Sequence, residues 1–319
     1  MAEICSCEDG VIGFGQPSCI PSFDRDKKLI FVSYLDNTGA VNSIKSTDTL
    51  DAQYFEDKVN AGIGSSALDK SQRWHITLDK SQRWHITQEI NDITGERAEP
   101  VTESIDNIDY IVTQGTRKYI GSIVKEGAVP AYMKSLESIS CQKMGYFIID
   151  VQGNIIGMKN DITGDLDPIK IETGTFFVNY KFRSSSEKER IMLQFNIGEN
   201  ERDSDLNFVP ASSIGVDVLE LSSVIQVNGV TNTPLTTGVV VDFSFIYGSV
   251  FAAQTFDGAL PGDFIATNKT TGLAVTIVTA AELPDGTYTF TWVAEPSANE
   301  IEIEIDKIGF VGSVTYTTP

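Results

Sequence analysis

After residue 217 the apolar residues fall into short runs, VLELSSVIQVNGV, VVVDFSFIYGSVF, FIATNKTTGLAVTIVT, TYTFTWVA, EIEIEI and GSVTYTTP, with turn formers between them. Runs of this kind suit strands and break too soon for helices with a continuous buried stripe. The pattern predicts about seven short strands over the last hundred residues, the texture of a β-sandwich. Asn228-Gly229, Pro261-Gly262 and Asp285-Gly286 are the expected turns. In EIEIEI, residues 300–305, alternation points Ile inward and leaves Glu as a solvated face. No cysteine follows Cys141, so packing alone must hold this part together.

The first two thirds read as β with a little helix. KLIFVSYL from Lys28, followed by DNTG, predicts a strand and its exit. LDAQYFEDKVN, residues 50–60, carries Leu50, Tyr54 and Val59 at roughly helical spacing and predicts a short helix or turn. Pro130 opens an amphipathic helix with Tyr132, Met133, Leu136 and Ile139 on its core face. GYFIIDVQGNIIGMK predicts a hairpin turning at Gly153. IKIETGTFFVNYKF and RIMLQFNI predict a second, with the charged tip RSSSEKE. The polar stretch ENERDSDLNFVPASS, residues 199–213, is the expected domain boundary.

Residues 68–87 are LDKSQRWHIT written twice without a difference, and they hold both histidines and two of the three tryptophans. Inserting ten residues into a strand preserves which side chains face inward, whereas a helix would be rotated by about 80°. The duplication therefore predicts an extended arm near residues 62–100, a place where added length disturbs no core. Trp74 with Ile76, or Trp84 with Ile86, would share one face. These four residues, with Arg73 and Arg83, are the expected contacts between subunits. His75 and His85 as a ligand or acid–base pair would need an oriented partner, and the sequence signals none.

With 44 acidic residues against 24 basic ones the net charge is −20, which disfavours binding to polyphosphates or anionic lipid. No apolar run approaches the ~20 residues of a membrane span, so no membrane insertion is expected. The first twenty residues show no secretory signal, and a soluble chain made in the cytoplasm is expected. Cys5, Cys7 and Cys19 crowd the start while Cys141 stands apart, a spacing unlike a zinc site, so reduced thiols and no metal or other cofactor are expected. GFGQPS follows no strand and opens no helix, as a phosphate loop must. No GxSxG occurs, and neither NERDSD nor NDITGDLD completes a calcium loop. No residue stands out as catalytic.

Several stretches carry a resemblance. RWHIT and INDITGERAEPVTESID, with Arg97, Ala98, Pro100 and Val101, are followed by TQGTRKYIGSI, with Gly115 and Arg117. The hairpin with Asp150, Gly153 and Asn154 comes next. In this order they resemble virion proteins of tailed phages of Bacteroidetes, the crAss-like phages among them, over residues 20–200. The family calls for one tryptophan-bearing segment, and this chain carries two. LPDGTYTFTWVA resembles the immunoglobulin-like modules of bacterial and phage surface proteins.

The resemblance implies a non-enzymatic tail or portal-proximal ring subunit of a virion, made in the host bacterial cytoplasm. Its partners would be further copies in a homo-oligomeric ring and other virion proteins such as portal, ring proteins and tail fibres, with passive contact to translocating DNA. An acidic wall suits that passage, since it avoids the counterion-release attraction of basic surfaces. The expected fold is mainly β: a β-rich α+β assembly domain over residues 1–207, and an immunoglobulin-like β-sandwich over 208–319. Two rivals are a surface glycan-binding adhesin, using Tyr247, Tyr288 and Trp292, and a tail-associated hydrolase. Deleting residues 78–87 is expected to leave a folded protein with any defect confined to assembly; an unchanged cooperative melt of the first domain by circular dichroism checks this.

Overall fold

The computed structural model describes residues 25–36, 38–61, 83–95, 97–105, 108–113, 115–124, 129–140, 142–198, 201–249, 252–283 and 286–319. The protein is mainly β, in several antiparallel sheets. The first unit runs β1 (Asp26–Ser33), α1 (Ala52–Val59), β2 (His85–Ile86), β3 (Ile90–Thr94), β4 (Val101–Ile105), β5 (Ile108–Thr113), β6 (Lys118–Val124), α2 (Val129–Glu137), β7 (Met144–Asp150), β8 (Ile155–Lys159), β9 (Leu166–Asp167), β10 (Ile169–Lys170), β11 (Phe177–Lys181), β12 (Arg190–Asn196) and β13 (Leu206–Val209). The second runs β14 (Ile225–Leu235), β15 (Gly238–Ser249), β16 (Ala252–Thr255), β17 (Phe264–Asn268), β18 (Leu273–Val275), β19 (Ile277–Glu282), β20 (Thr287–Trp292), β21 (Glu300–Ile305), β22 (Phe310–Val311) and β23 (Ser313–Thr317).

The unbroken apolar run of β1 has a cause: the strand is buried on both faces. Leu29 and Phe31 join the core between a sheet ordered β13-β8-β7-β1-β2 and a sheet ordered β11-β12-β6-β3. Ile30 and Val32 point the other way, into a second core closed by α1 and residues 214–224. β7 repeats the division, with Tyr146 on the first side and Phe147 and Ile149 on the second. β12 alternates Ile191, Leu193 and Phe195 into the first core only. Leu136 and Ile139, at and just beyond the end of α2, cover that core, with Tyr132 and Met133 half-buried beside them. α1 is capped by Asp51, whose carboxylate accepts from the Tyr54 amide at 2.9 Å.

The domain boundary lies further along than the polar stretch suggests. β13 pairs with β8, and Ile214 and Val218 are buried in the second core with Leu219, Leu221 and Val224 packed against it. Residues 206–224 thus belong to the first unit, and VLELSSV is packing rather than a first sandwich strand. The Ser, Pro and charge of 199–213 mark surface turns on a chain still covering a sheet face.

The second unit is a sandwich with sheets ordered β19-β20-β15-β14-β22 and β18-β17-β21-β23. Naming β14, β15, β17, β19, β20, β21 and β23 as A to G gives D-E-B-A facing C-F-G, the immunoglobulin arrangement. Val241, Phe243, Tyr288 and Phe290 from one sheet meet Phe264, Ile301 and Ile303 from the other. Asn228-Gly229, expected to turn, lies inside β14, where a Cβ on Gly229 would stand 2.8 Å from both the Phe243 ring and Val314. Close packing, not chain reversal, selects that glycine. The actual reversal is at Thr236 and Thr237, between Leu235 and Gly238.

Trp292 and Tyr288 are buried in this core, so neither ring face is presented to a sugar; the side chain of Tyr247 lies outside the described residues. Trp292→Ala is expected to destabilise the sandwich by about 3–5 kcal/mol. Denaturant unfolding of the full chain, showing the sandwich transition shifted or lost, measures it.

Candidate functional site: a projecting hairpin and its root

β3 and β6 are the inner half of a long ribbon, and β4 and β5 continue it outward. The inner half belongs to a four-stranded sheet, whereas among the described residues β4 and β5 pair with each other alone. Thr102, Glu103, Ser104 and Tyr110 are exposed, and Glu103 stands opposite Tyr110 in the register. A two-stranded ribbon on its own is marginal in water, and its two edges are where further strands can add.

What fixes the ribbon is its root. Arg97 and Arg117 face each other in an isolated antiparallel bridge. The Arg97 guanidinium donates to the Gly115 carbonyl at 3.2 Å, and that of Arg117 donates to the Gly95 carbonyl at 3.1 Å. Both arginines also converge on the Asp203 carboxylate, and Arg97 reaches the Glu201 carbonyl at 3.2 Å. Gly115 is required here because a Cβ would fall 1.7 Å from the Ala98 carbonyl oxygen. The two short motifs singled out in the sequence are therefore the two legs of one hairpin. The third, at Asp150, Gly153 and Asn154, is a turn: the Asp150 carboxylate accepts from the Gln152 and Asn154 amides, and Gly153 has φ +84°. The Asn154 side-chain carbonyl accepts from the Ala211 amide at 2.9 Å, so this turn tethers the segment after β13.

Beside the root is a cavity of about 290 Å³ between the two sheets of the first unit. Its walls include Ile148, Ile156 and Met158, and its polar groups come from Asp26, Arg117, Tyr119 and Glu201. The Tyr119 hydroxyl is buried and faces the Asp26 carboxyl. Burial pushes Asp26 up to about 6, against the lowering field of Arg117, and burial also raises Glu201. His85 lines a separate cavity of about 80 Å³. Burial first, and the Arg83 charge second, push its imidazole down to about 4, so it is neutral at physiological pH. Among the described residues no group of three His, Cys, Asp or Glu side chains is placed to hold a metal, and no helix is long and apolar enough to cross a membrane. Cys5, Cys7, Cys19 and Cys141 lie outside the described residues.

The expected subunit contacts need correction. Trp84 is 0% exposed, and Ile86 and Arg83 are buried with it in the first unit. Trp84 sits among the rings of Tyr54, Phe55 and Phe147, at centroid distances of 6.0, 6.2 and 5.6 Å. Arg83 donates twice to the Ala61 carbonyl, at 3.1 and 2.8 Å. Apolar area already removed from water within the chain cannot serve a neighbour. Arg73, Trp74, His75 and Ile76 lie outside the described residues. Among the described residues, the strands that stand apart from the other sheets are β4 and β5.

Comparison with family models, with curated proteins and with solved structures finds no match.

Asp26 gives a pH-dependent prediction. Its carboxyl titrates near 6 in the fold against an ordinary value of 3.8, so the folded state holds the proton more tightly. The associated stability is present below pH 4 and is lost as pH rises through 6. Asp26→Asn is expected to stabilise the first unit at pH 7 by about 2 kcal/mol and to flatten its profile between pH 4 and 6. Melts of both proteins across that range read the effect.

Proposed function

We propose that the chain is a non-enzymatic structural subunit of a tailed-phage virion, a tail or connector ring protein that assembles through the β4–β5 hairpin. The observation carrying this reading is the hairpin: two strands that, among the described residues, stand outside the other sheets, bonded at the root by Arg97 and Arg117 and exposed at Thr102, Glu103, Ser104 and Tyr110. A two-stranded ribbon suits strand addition to a neighbouring subunit along its edges. In a closed ring each subunit offers the hairpin to one neighbour and receives the other neighbour's hairpin on a second surface, a head-to-tail contact. The immunoglobulin-like unit, whose sheets bury their inner faces against each other, is then free to be displayed outward. The charge of −20 suits a channel that DNA traverses without adhering.

Replacing residues 101–113 by an Asn-Gly turn tests the proposal. The intact chain is expected to form closed multimers by native mass spectrometry and electron microscopy. The shortened chain should keep its melting transitions and remain monomeric. An intact chain that stays monomeric at high concentration, or a shortened one that assembles equally well, overturns it.

A further inference from the structure

Residues 83–87 behave as a plug in a socket. The Trp84 amide donates to the Lys58 carbonyl at 3.0 Å, and the Lys58 ammonium lies 5.5 Å from the indole. The Thr87 amide donates to the Leu29 carbonyl at 2.8 Å, and the Leu29 amide returns a bond to the Thr87 hydroxyl at 2.9 Å. The Ile86 amide donates to the Ser223 hydroxyl at 2.6 Å, which donates back to the Ile86 carbonyl at 3.1 Å. Ile30 and Phe31 pair with Ile86 and His85 in the ladder. Together with the Arg83 bonds to Ala61, these contacts use only the five residues Arg-Trp-His-Ile-Thr.

The same five residues recur at 73–77, preceded by the same Leu-Asp-Lys-Ser-Gln. A socket that reads only local groups cannot tell one copy from the other. We infer that the socket accepts residues 73–77 as well as 83–87, so that the chain has two registers at this point.

Chain connectivity sets their ratio. With 83–87 docked, one connection spans 62–82, and only Gln88 and Glu89 precede β3. With 73–77 docked, the lead-in shortens to 62–72 and residues 78–89 form a second connection before β3. The loop-closure scaling then disfavours the second register by on the order of tenfold, as one connection of 21 residues gives way to two of 11 and 12. A minor population of several per cent follows. In that register the copy at 83–87 is released on a tether and made available outside the core.

Three tryptophan variants test this in the full chain. Trp74→Ala should leave the unfolding equilibrium of the first unit nearly unchanged. Trp84→Ala should weaken it by only about tenfold, because Trp74 then fills the socket. The double variant should weaken it a hundredfold or more, since no indole remains to fill the site. In Trp84→Ala the nitrogen-15 spectrum should still show a buried indole besides that of Trp292. Deletion of 78–87 places the first copy directly before Gln88, so a folded deletion variant is required as well. The inference is overturned if Trp84→Ala loses as much stability as the double variant or fails to fold. It is also overturned if the double variant loses no more than tenfold, or if the deletion variant fails to fold.

Discussion

The first unit depends on β1 being covered from both sides. A strand whose successive side chains enter two different cores gains burial at every position, and its backbone groups can be paired only within the sheet. That requirement organises its neighbours: β7 must pair along its length, as it does from Asp26 to Ser33. One face then needs a second sheet, and the other needs α1, the Trp84 plug and the segment after β13. Residues 206–224 cannot be a linker in such an arrangement, because removing them would bare Ile30, Phe147 and Ile149 to water.

The same economy explains where the chain projects. β6 is long enough to pair with β12 over its whole length, yet its partner β3 leaves the sheet at Thr94. Beyond that point the described contacts at the ribbon's root are directional polar bonds. Each arginine at the root bonds a carbonyl across the ribbon, and their shared carboxylate, Asp203, ties the root to the turn before β13. Surface ion pairs of this kind contribute little stability individually. Their effect here is geometric: they set the angle at which the hairpin leaves the sheet.

Much of the fold is legible in the sequence because its signals are local. The alternation of EIEIEI, the glycine of the Asp150–Asn154 turn, Pro130 at the start of α2 and the apolar run of β1 each act over a few residues. What the sequence hides depends on distance. Gly229 has the composition of a turn, and only the approach of Phe243 and Val314 shows that it serves packing. The polarity around Pro210 resembles a linker, although the strand within it pairs with β8, about fifty residues earlier. Arg97 and Arg117 are visible as motifs, but their meeting depends on the ribbon between them. Asp26 gives no signal, since a carboxylate among FDRDKK reads as solvated until the sheets close around it.

The repeat shows most plainly how local recognition and chain length separate. Among the described residues, its second copy is held by hydrogen bonds and ring contacts that run from Arg83 to Thr87. An added copy therefore changes the length of the connection without changing what is recognised, which is why a duplication can stand next to a fully buried tryptophan. An insertion between Trp84 and Thr87 would be different, because the bonds to Lys58 and Leu29 fix the spacing of those two residues. Tolerance here follows the placement of the anchors, and the even length that keeps a strand's faces in step matters where the chain is anchored, as it is from Arg83 to Thr87.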